Sequence, residues 1–337
     1  MEAESVAELP RGAQWQYEPK WDGFRCLLMR DGDSIRMQSK GGRDLVRYFP
    51  EVASAASGLS AKSFVLDGEL IIRRDEGDAF DALLQRIHPA ASRVKRLAAE
   101  TPARFMAFDL LQSAGTDLAS LPLAKRRPAL EKFAQRYFKT SDTFALSPET
   151  RNHAEARAWL QRVADGHDGV IAKRLDLAYC SGTREGMQKI KLLRSADCVV
   201  GGFRYAEKKQ GRRKVIGSLL LGLYDASGLL HHVGFTSAIK ASDRPGLTDK
   251  FEKIACESSF TGKAPGGPSR WSTKRSAEWQ PVRPVRVVEV CYDHVSGDRF
   301  RHGTKILRWR PDKKPSQCRM DQLRQKRAAG RASPAGT

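Results

Sequence analysis

A chain of 337 residues is long enough for two domains, each with its own core. Its 59 Lys and Arg against 39 Asp and Glu leave a formal charge of +20, a long-range field that draws in a polyanion such as nucleic acid. No run approaches ~18 uninterrupted apolar residues and the acidic stretch Met1 to Gln14 has no apolar core, so neither a membrane-spanning helix nor a signal peptide is expected.

Residues 1–14 read as a short leader. From 15 to 195 short apolar runs alternate with amphipathic segments, the pattern of a mixed α and β domain. Phe64–Ile72 and Phe105–Leu111 are predicted strands. Helices follow over Leu123–Phe138 and His153–Ala164, the second stopped by Gly166 in a C-cap position, and Gly169–Lys173 is a third strand. The pattern changes after Ser195. Val199–Phe203, Ser218–Tyr224, Leu229–Phe235 and Val285–Tyr292 are β-like, and Asp225-Ala-Ser-Gly228 is a tight hairpin signal. Only Leu247–Cys256 reads as a helix there, with a loop over Gly262–Ser269. Short strands with a single helix predict a small closed barrel, for which the OB-fold is the candidate. The expected fold is α+β: a mixed domain over 15–195, a barrel over 196–323 and a basic, disordered tail over 324–337.

Chemistry-bearing residues recur in order along this frame. Cys26, Cys180, Cys198, Cys256, Cys291 and Cys318 lie too far apart for a zinc knuckle or a redox pair, so reduced thiols are expected. Lys20-Trp-Asp-Gly-Phe-Arg25 offers a lysine nucleophile, provided that crowding by Lys173, Lys189, Lys191 and a metal ion lowers its affinity for the proton. Asp67 and Glu69, two apart on a strand, share one face, while Leu66, Leu70 and Ile72 turn toward a core. Lys189 and Lys191 lie side by side on an extended segment, an unfavourable pair unless an anion sits between them. Arg308-Trp-Arg-Pro-Asp-Lys313 packs three cations into six residues.

These motifs, with Phe108-Asp-Leu-Leu111, Asp168-Gly-Val-Ile-Ala-Lys173 and Tyr48-Phe-Pro-Glu51, resemble in order and spacing the covalent nucleotidyltransferases. The resemblance is strongest to ATP-dependent DNA ligases of the small stand-alone bacterial type and to the ligase domain of bacterial ligase D. It runs from Trp15 to Asp321 and implies an adenylation domain followed by an OB-fold. It further implies that Lys20 attacks the α-phosphorus of ATP, that Glu18 contacts the adenine region, and that Arg25 holds the nucleotide and the nick. Phe108 is implied to stack on adenine, Glu69 to serve the ribose and the metal, and Asp168 to hold the metal, although Glu is commoner at that position. Lys173, on the strand that follows, is expected to face the phosphates or the DNA. Lys189 and Lys191 are implied to meet the α-phosphate, and Arg310, Asp312 and Lys313 the β- and γ-phosphates, with a hinge at Ser195–Asp197. In Ser39-Lys-Gly-Gly-Arg43, Lys40 and Arg43 are implied to contact the nick, with Lys40 standing where Arg is usual.

The function implied is sealing of 5′-phosphate/3′-hydroxyl nicks in duplex DNA through lysyl-AMP and adenylylated DNA, in DNA repair, with ATP and Mg2+ or Mn2+. The expected protein is a cytoplasmic, nucleoid-associated monomer, with Ku-like or polymerase repair proteins as partners. An RNA-directed nucleotidyltransferase, either an RNA ligase or an mRNA capping guanylyltransferase, shares the lysine chemistry and is the alternative. A third reading is a non-catalytic nucleic-acid-binding barrel, against which the full set of acids and lysines argues.

Overall fold

The computed structural model describes residues 1–74, 77–78, 80–139, 141–161, 167–191, 193–207, 213–266 and 278–323. The chain divides into two compact units, Met1–Leu192 and Leu193–Thr337. The expected tail over 324–337 and the Gly166 cap lie outside the described residues.

The first unit begins with β1 (Glu4–Ser5), β2 (Trp15–Trp21), β3 (Phe24–Asp31), β4 (Ser34–Ser39), α1 (Pro50–Gly58) and β5 (Ser63–Ile71). The short β6 (Arg73–Arg74) and β7 (Gly77–Asp78), then α2 (Phe80–Arg86) and α3 (Ala91–Glu100), lead to β8 (Arg104–Ser113) and β9 (Thr116–Asp117). After α4 (Leu123–Tyr137) and β10 (Phe144–Leu146), α5 (His153–Gln161), β11 (His167–Arg174) and β12 (Met187–Ile190) complete it.

Among the described residues the two larger sheets run in the orders β1-β12-β11-β2 and β10-β8-β5-β3-β4, with β9 on β8 and β6 paired with β7 apart from both. Alternation along the second sheet sends Cys26, Leu28, Leu66, Leu70, Phe105 and Ala107 into one core with Val52, Ala56, Leu130 and Phe133 of α1 and α4. Arg25, Glu69 and Phe108, on the same strands, stay outside that core and part-exposed. A smaller core under the first sheet joins Trp15, Tyr17, Val170, Ala172 and Ile190 to Ala156 of α5. Residues 1–14 are not a loose leader. Glu4 and Ser5 pair in parallel with Gln188 and Lys189, so β1 extends the sheet that carries β2 and β11.

The second unit contains β13 (Arg194–Tyr205), β14 (Ile216–Tyr224), β15 (Leu230–Thr236), α6 (Arg244–Glu252) and β16 (Gln280–Pro281). It ends with β17 (Val287–Tyr292), β18 (Val295–Ser296), β19 (Arg299–Phe300) and β20 (Lys305–Trp309). The helix starts three residues before the predicted one because Pro245 opens it, where its missing N–H costs nothing. The strand order β15-β14-β13-β17-β20 agrees with the expected OB-fold. The closed barrel does not form. Among the described residues the two end strands meet through one parallel bridge, Thr236 to Thr304, with Thr304 N–H donating to the Phe235 carbonyl at 3.0 Å. Ser195–Asp197, expected as a hinge, lies inside β13 and is fixed there by pairing with Cys291, Val290 and Glu289 of β17.

Candidate active site

Lys20 lies on β2 opposite a bulge in β11. Pro19 pairs with Val170 and Trp21 with His167, so Asp168 and Gly169 together oppose Lys20. Such a bulge bends its strand and re-aims a side chain. Asp168 thereby places Oδ2 2.8 Å from Lys20 Nζ and 3.1 Å from Lys191 Nζ, just beyond β12. Gly169 has φ +140°, and a Cβ there would run into the Ile190 carbonyl, so the bulge requires glycine. Burial acts to raise the Asp168 carboxyl, but Lys20 and Lys191 outweigh it and hold the group below the usual carboxylate range.

On the facing sheet, Arg25 of β3 is the register partner of Glu69 of β5. Its guanidinium grips the fully buried Asp67 through two hydrogen bonds, Nε to Oδ1 at 3.1 Å and Nη2 to Oδ2 at 2.6 Å. The Tyr179 hydroxyl donates to the same Asp67 Oδ2 at 2.7 Å. Burial, then the Asp67 charge, pushes that hydroxyl well above the ordinary phenol value, which keeps it a donor. Asp67, to which the motif assigns no direct task, is therefore what orients Arg25. Gly23 lets the turn between β2 and β3 pass against the Leu70 carbonyl, which any side chain would strike.

Glu69 differs from Asp67. Among the described residues no hydrogen bond reaches its carboxylate, and desolvation pushes it up to about 8 despite Lys20 and Arg25. Phe108 of β8 keeps part of its ring exposed. Lys173 Nζ lies 4.6 Å from the ring centroid and the Arg25 guanidinium 5.8 Å. Lys173 does not reach out toward phosphate or DNA as expected. It is buried, donating to Glu18 at 2.8 Å and to the Phe108 carbonyl at 3.3 Å. Glu18 also accepts from Gln16 at 2.9 Å, so both of its oxygens are engaged beneath the aromatic ring.

The expected crowding of cations falls on Lys189. Burial, then Lys191, Lys20, Lys40 and Arg184, depress its ammonium below the ordinary lysine value. Lys20 instead has a carboxylate at its Nζ. Lys40 and Arg43 occupy a turn beyond β4, closed by the Ser39 N–H to the Arg43 carbonyl at 2.9 Å. Lys40 pairs with Glu2 at 3.1 Å.

Arg310 and Lys313 belong to the second unit. Both converge on Asp197 of β13, at 3.0 Å and 2.6 Å, and Arg310 also holds Asp312 at 2.8 Å. The Arg310 hydrogen bond keeps the Asp312 carboxyl at about 2.

The donor set suits a cation in part. A carboxylate as raised as Glu69, without a hydrogen-bond partner among the described residues, is a group that a cation would relieve. Asp168 is already neutralised by two lysines. Among the described residues no three His, Cys, Asp or Glu side chains converge as a ready-made cage. Such a site matches an ion that binds one or two carboxylates and completes its shell with water and phosphate oxygens.

Three supporting groups were given no such role from the sequence. Tyr179 carries no signal, and Asp197 was read only as part of a hinge. Asp109 could have been found, because an acid inside Phe108-Asp-Leu-Leu111 must be paired once buried. Its partner is Arg126, in a doubly hydrogen-bonded pair at 2.9 Å.

Comparison with known proteins places the chain in a family. A family model described as ATP dependent DNA ligase domain matches residues 2–191, and one described as ATP dependent DNA ligase C terminal region matches residues 212–313. The chain is 43% identical over 324 residues to DNA ligase C1 of Mycolicibacterium smegmatis, covering 92% of this chain and 88% of that protein. It is 29% identical to the multifunctional non-homologous end joining DNA repair protein LigD of Mycobacterium tuberculosis, covering 91% of this chain and 37% of that protein. A solved structure described as a Lig E DNA ligase with a minimal DNA-binding scaffold shares the fold, with TM-score 0.57 and 17% identity over 92% of this chain and all of that one.

Proposed function

The chain belongs to the ATP-dependent DNA ligase family and seals nicks in duplex DNA, and on that premise we propose that Lys20 is the residue that carries AMP. The observation behind this assignment is the convergence of Lys20, 148 residues from Asp168 in sequence, and of Lys191 on one oxygen of Asp168. Lys20 Nζ attacks the α-phosphorus of ATP. The ammonium first gives up one proton toward Asp168 Oδ2; a P–N bond then forms, the bond to the pyrophosphate oxygen breaks, and a second N–H proton leaves with the pyrophosphate. The lysine charge disappears in this step, which leaves Lys191 as the cation on Asp168. An oxygen of the nick 5′-phosphate then takes the AMP and returns the Lys20 amine. The 3′-hydroxyl finally attacks the 5′-phosphorus, loses its proton and releases AMP.

Phe108 offers its part-exposed ring to adenine, a contact worth ~1–3 kcal/mol, while Glu18 and Lys173 fix the strand beneath it. Lys189, with an ammonium short of counter-charge, suits the α-phosphate together with Lys191. Arg25, oriented by Asp67, suits the nucleotide and the nick, and Lys40 and Arg43 suit the phosphates flanking it. Arg310 and Lys313 suit the β- and γ-phosphates. A divalent ion, Mg2+ or Mn2+, would be held by Glu69 and, once its lysine is consumed, by Asp168. It would supply neutralisation of charge developing on phosphate oxygens. Similarity to a protein named for end-joining DNA repair supports a role in repair.

The test follows label from α-phosphate-labelled ATP onto the protein and into nicked duplex DNA. Label on Lys20 that nicked DNA discharges is the expected result. Label that ignores DNA and leaves on RNA ends would reverse the assignment, as would a labelled Lys20→Ala protein.

A further inference from the structure

Glu2 lies beside the cations expected to meet DNA. β1 anchors it: Glu4 and Ser5 pair with β12, the Val6 N–H donates to the Lys189 carbonyl at 3.1 Å, and the Glu2 N–H donates to the Thr183 carbonyl at 2.7 Å. Its backbone is therefore fixed, and its carboxylate projects between two basic side chains. Oε1 is 3.1 Å from Lys40 Nζ and Oε2 is 3.8 Å from Arg184 Nε. The hydrogen bond from Lys40 is the main cause holding this carboxyl below its ordinary range. The same residues open onto a cavity of about 250 Å³ lined by Glu2, Arg25, Ser39, Lys40, Gly42 and Tyr179, into which the Met1 carbonyl also turns to accept from Arg25.

We propose that Glu2 is an internal stand-in for a DNA phosphate, occupying Lys40 and Arg184 when DNA is absent and lowering the affinity for DNA when it binds. The proposal rests on the reading that Lys40 contacts the nick. A carboxylate on a fixed strand needs only a side-chain rotation to yield its place, so the cations stay organised and accessible. Whether it swings aside or stays, its charge opposes the incoming polyanion. The effect is bounded, because Lys40 is largely exposed and exposed ion pairs couple weakly. A ligase gains from such a brake at the end of the reaction, when sealed duplex must leave.

The test measures nicked-duplex binding over a range of salt for the full chain and for Glu2→Gln, Lys40→Gln and the double variant. Glu2→Gln is expected to tighten binding about two- to fivefold at low salt. It is also expected to steepen the dependence of log Kd on log salt by up to about one, the share of one unmasked phosphate contact. In the Lys40→Gln background the same change should gain less, since half of what Glu2 masks is gone. Label uptake from ATP should be unchanged in Glu2→Gln, because Glu2 contacts neither Lys20, Asp168 nor Lys191. If Lys40→Gln weakens binding while Glu2→Gln leaves it unchanged or weaker, the role of Glu2 is overturned and that of Lys40 stands. If Lys40→Gln leaves binding untouched, both fall.

Discussion

Arg25 and Asp67 form a two-point pair, at 3.1 and 2.6 Å, in which the acid is fully buried and the base lies beside the Phe108 ring. The acid thus acts through the base. Asp67→Asn would leave a guanidinium without its counter-charge in a desolvated place, a loss of about 3 kcal/mol. For a unit of this size that lowers the melting temperature by roughly 10 °C. Tyr179→Phe removes one hydrogen bond to the same carboxylate and should cost about half as much. Calorimetry of the two variants checks the order. Equal melting temperatures would mean that Arg25 is held by something else.

Lys20 and Asp168 separate stability from chemistry. Lys20→Arg keeps a cation opposite Asp168, but a guanidinium does not give up its proton and cannot attack phosphorus. The variant should melt within about 2 °C of the parent yet take up no label from ATP, a loss of activity beyond 1,000-fold. Both it and Lys20→Ala should still seal nicks that already carry AMP on the 5′-phosphate, since that step needs no lysine nucleophile. Failure on the pre-adenylylated substrate would assign Lys20 a role after the first step.

Glu69 should report on the divalent ion. Glu69→Gln preserves shape and removes the charge. Because the parent carboxylate lacks a hydrogen-bond partner among the described residues, neutralising it costs the apo fold little. The magnesium concentration that half-saturates label uptake should rise at least tenfold, while melting without metal stays the same or improves. An unchanged magnesium requirement would remove Glu69 from the ion site.

The second unit carries its own dependence on pH. Burial first, then Arg299 and Arg204, depress His232 to about 3, so it is neutral in the folded unit and accepts a hydrogen bond from Arg299 at 3.2 Å. In the unfolded chain it protonates near the ordinary imidazole value of 6.5. Below that pH the unfolded state takes up a proton that the folded state refuses. Stability is therefore intact above pH 6.5 and lost as pH falls toward 3, by up to about 1.4 kcal/mol per pH unit. His232→Phe should flatten the acid side of the melting curve. An identical slope would place the acid sensitivity elsewhere.

Several strands were legible because they rest on local patterns, as alternation around Leu66 and Leu70 gives a strand with one apolar face. Lys20, Asp168 and Lys191 were picked out by the resemblance of their motifs in order, since each motif alone is also an ordinary turn or solvated face. What was not legible depends on register. Nothing local says that Asp168 and Gly169 form a bulge opposite Lys20, and it is the bulge that turns two distant motifs into an ion pair. Lys173 looked like a phosphate ligand because a lysine on a strand has two faces to choose from, and only the pairing of β2 with β11 shows that Glu18 waits on the inner one. The barrel was expected to close because strand count alone does not reveal that, among the described residues, its ends are joined by one parallel bridge, Thr236 to Thr304.

Asp197 shows how a residue without a motif can govern two that have one. Arg310 and Lys313 both bind it, so neither points freely into solvent, and Gln322 fixes the Asp197 backbone from both sides, at 3.0 and 3.2 Å. If these cations orient the leaving pyrophosphate, they matter only while ATP is the substrate. Arg310→Ala and Lys313→Ala should each slow label uptake at least tenfold and leave sealing of pre-adenylylated nicks within about twofold of the parent. Asp197→Asn retains both cations but loosens them. It should raise the KM for ATP more than it lowers kcat, whereas loss of a cation that acts on the departing phosphates lowers kcat. Equal effects of all three variants on pre-adenylylated nicks would show that this cluster serves the fold of the second unit and not the transfer from ATP.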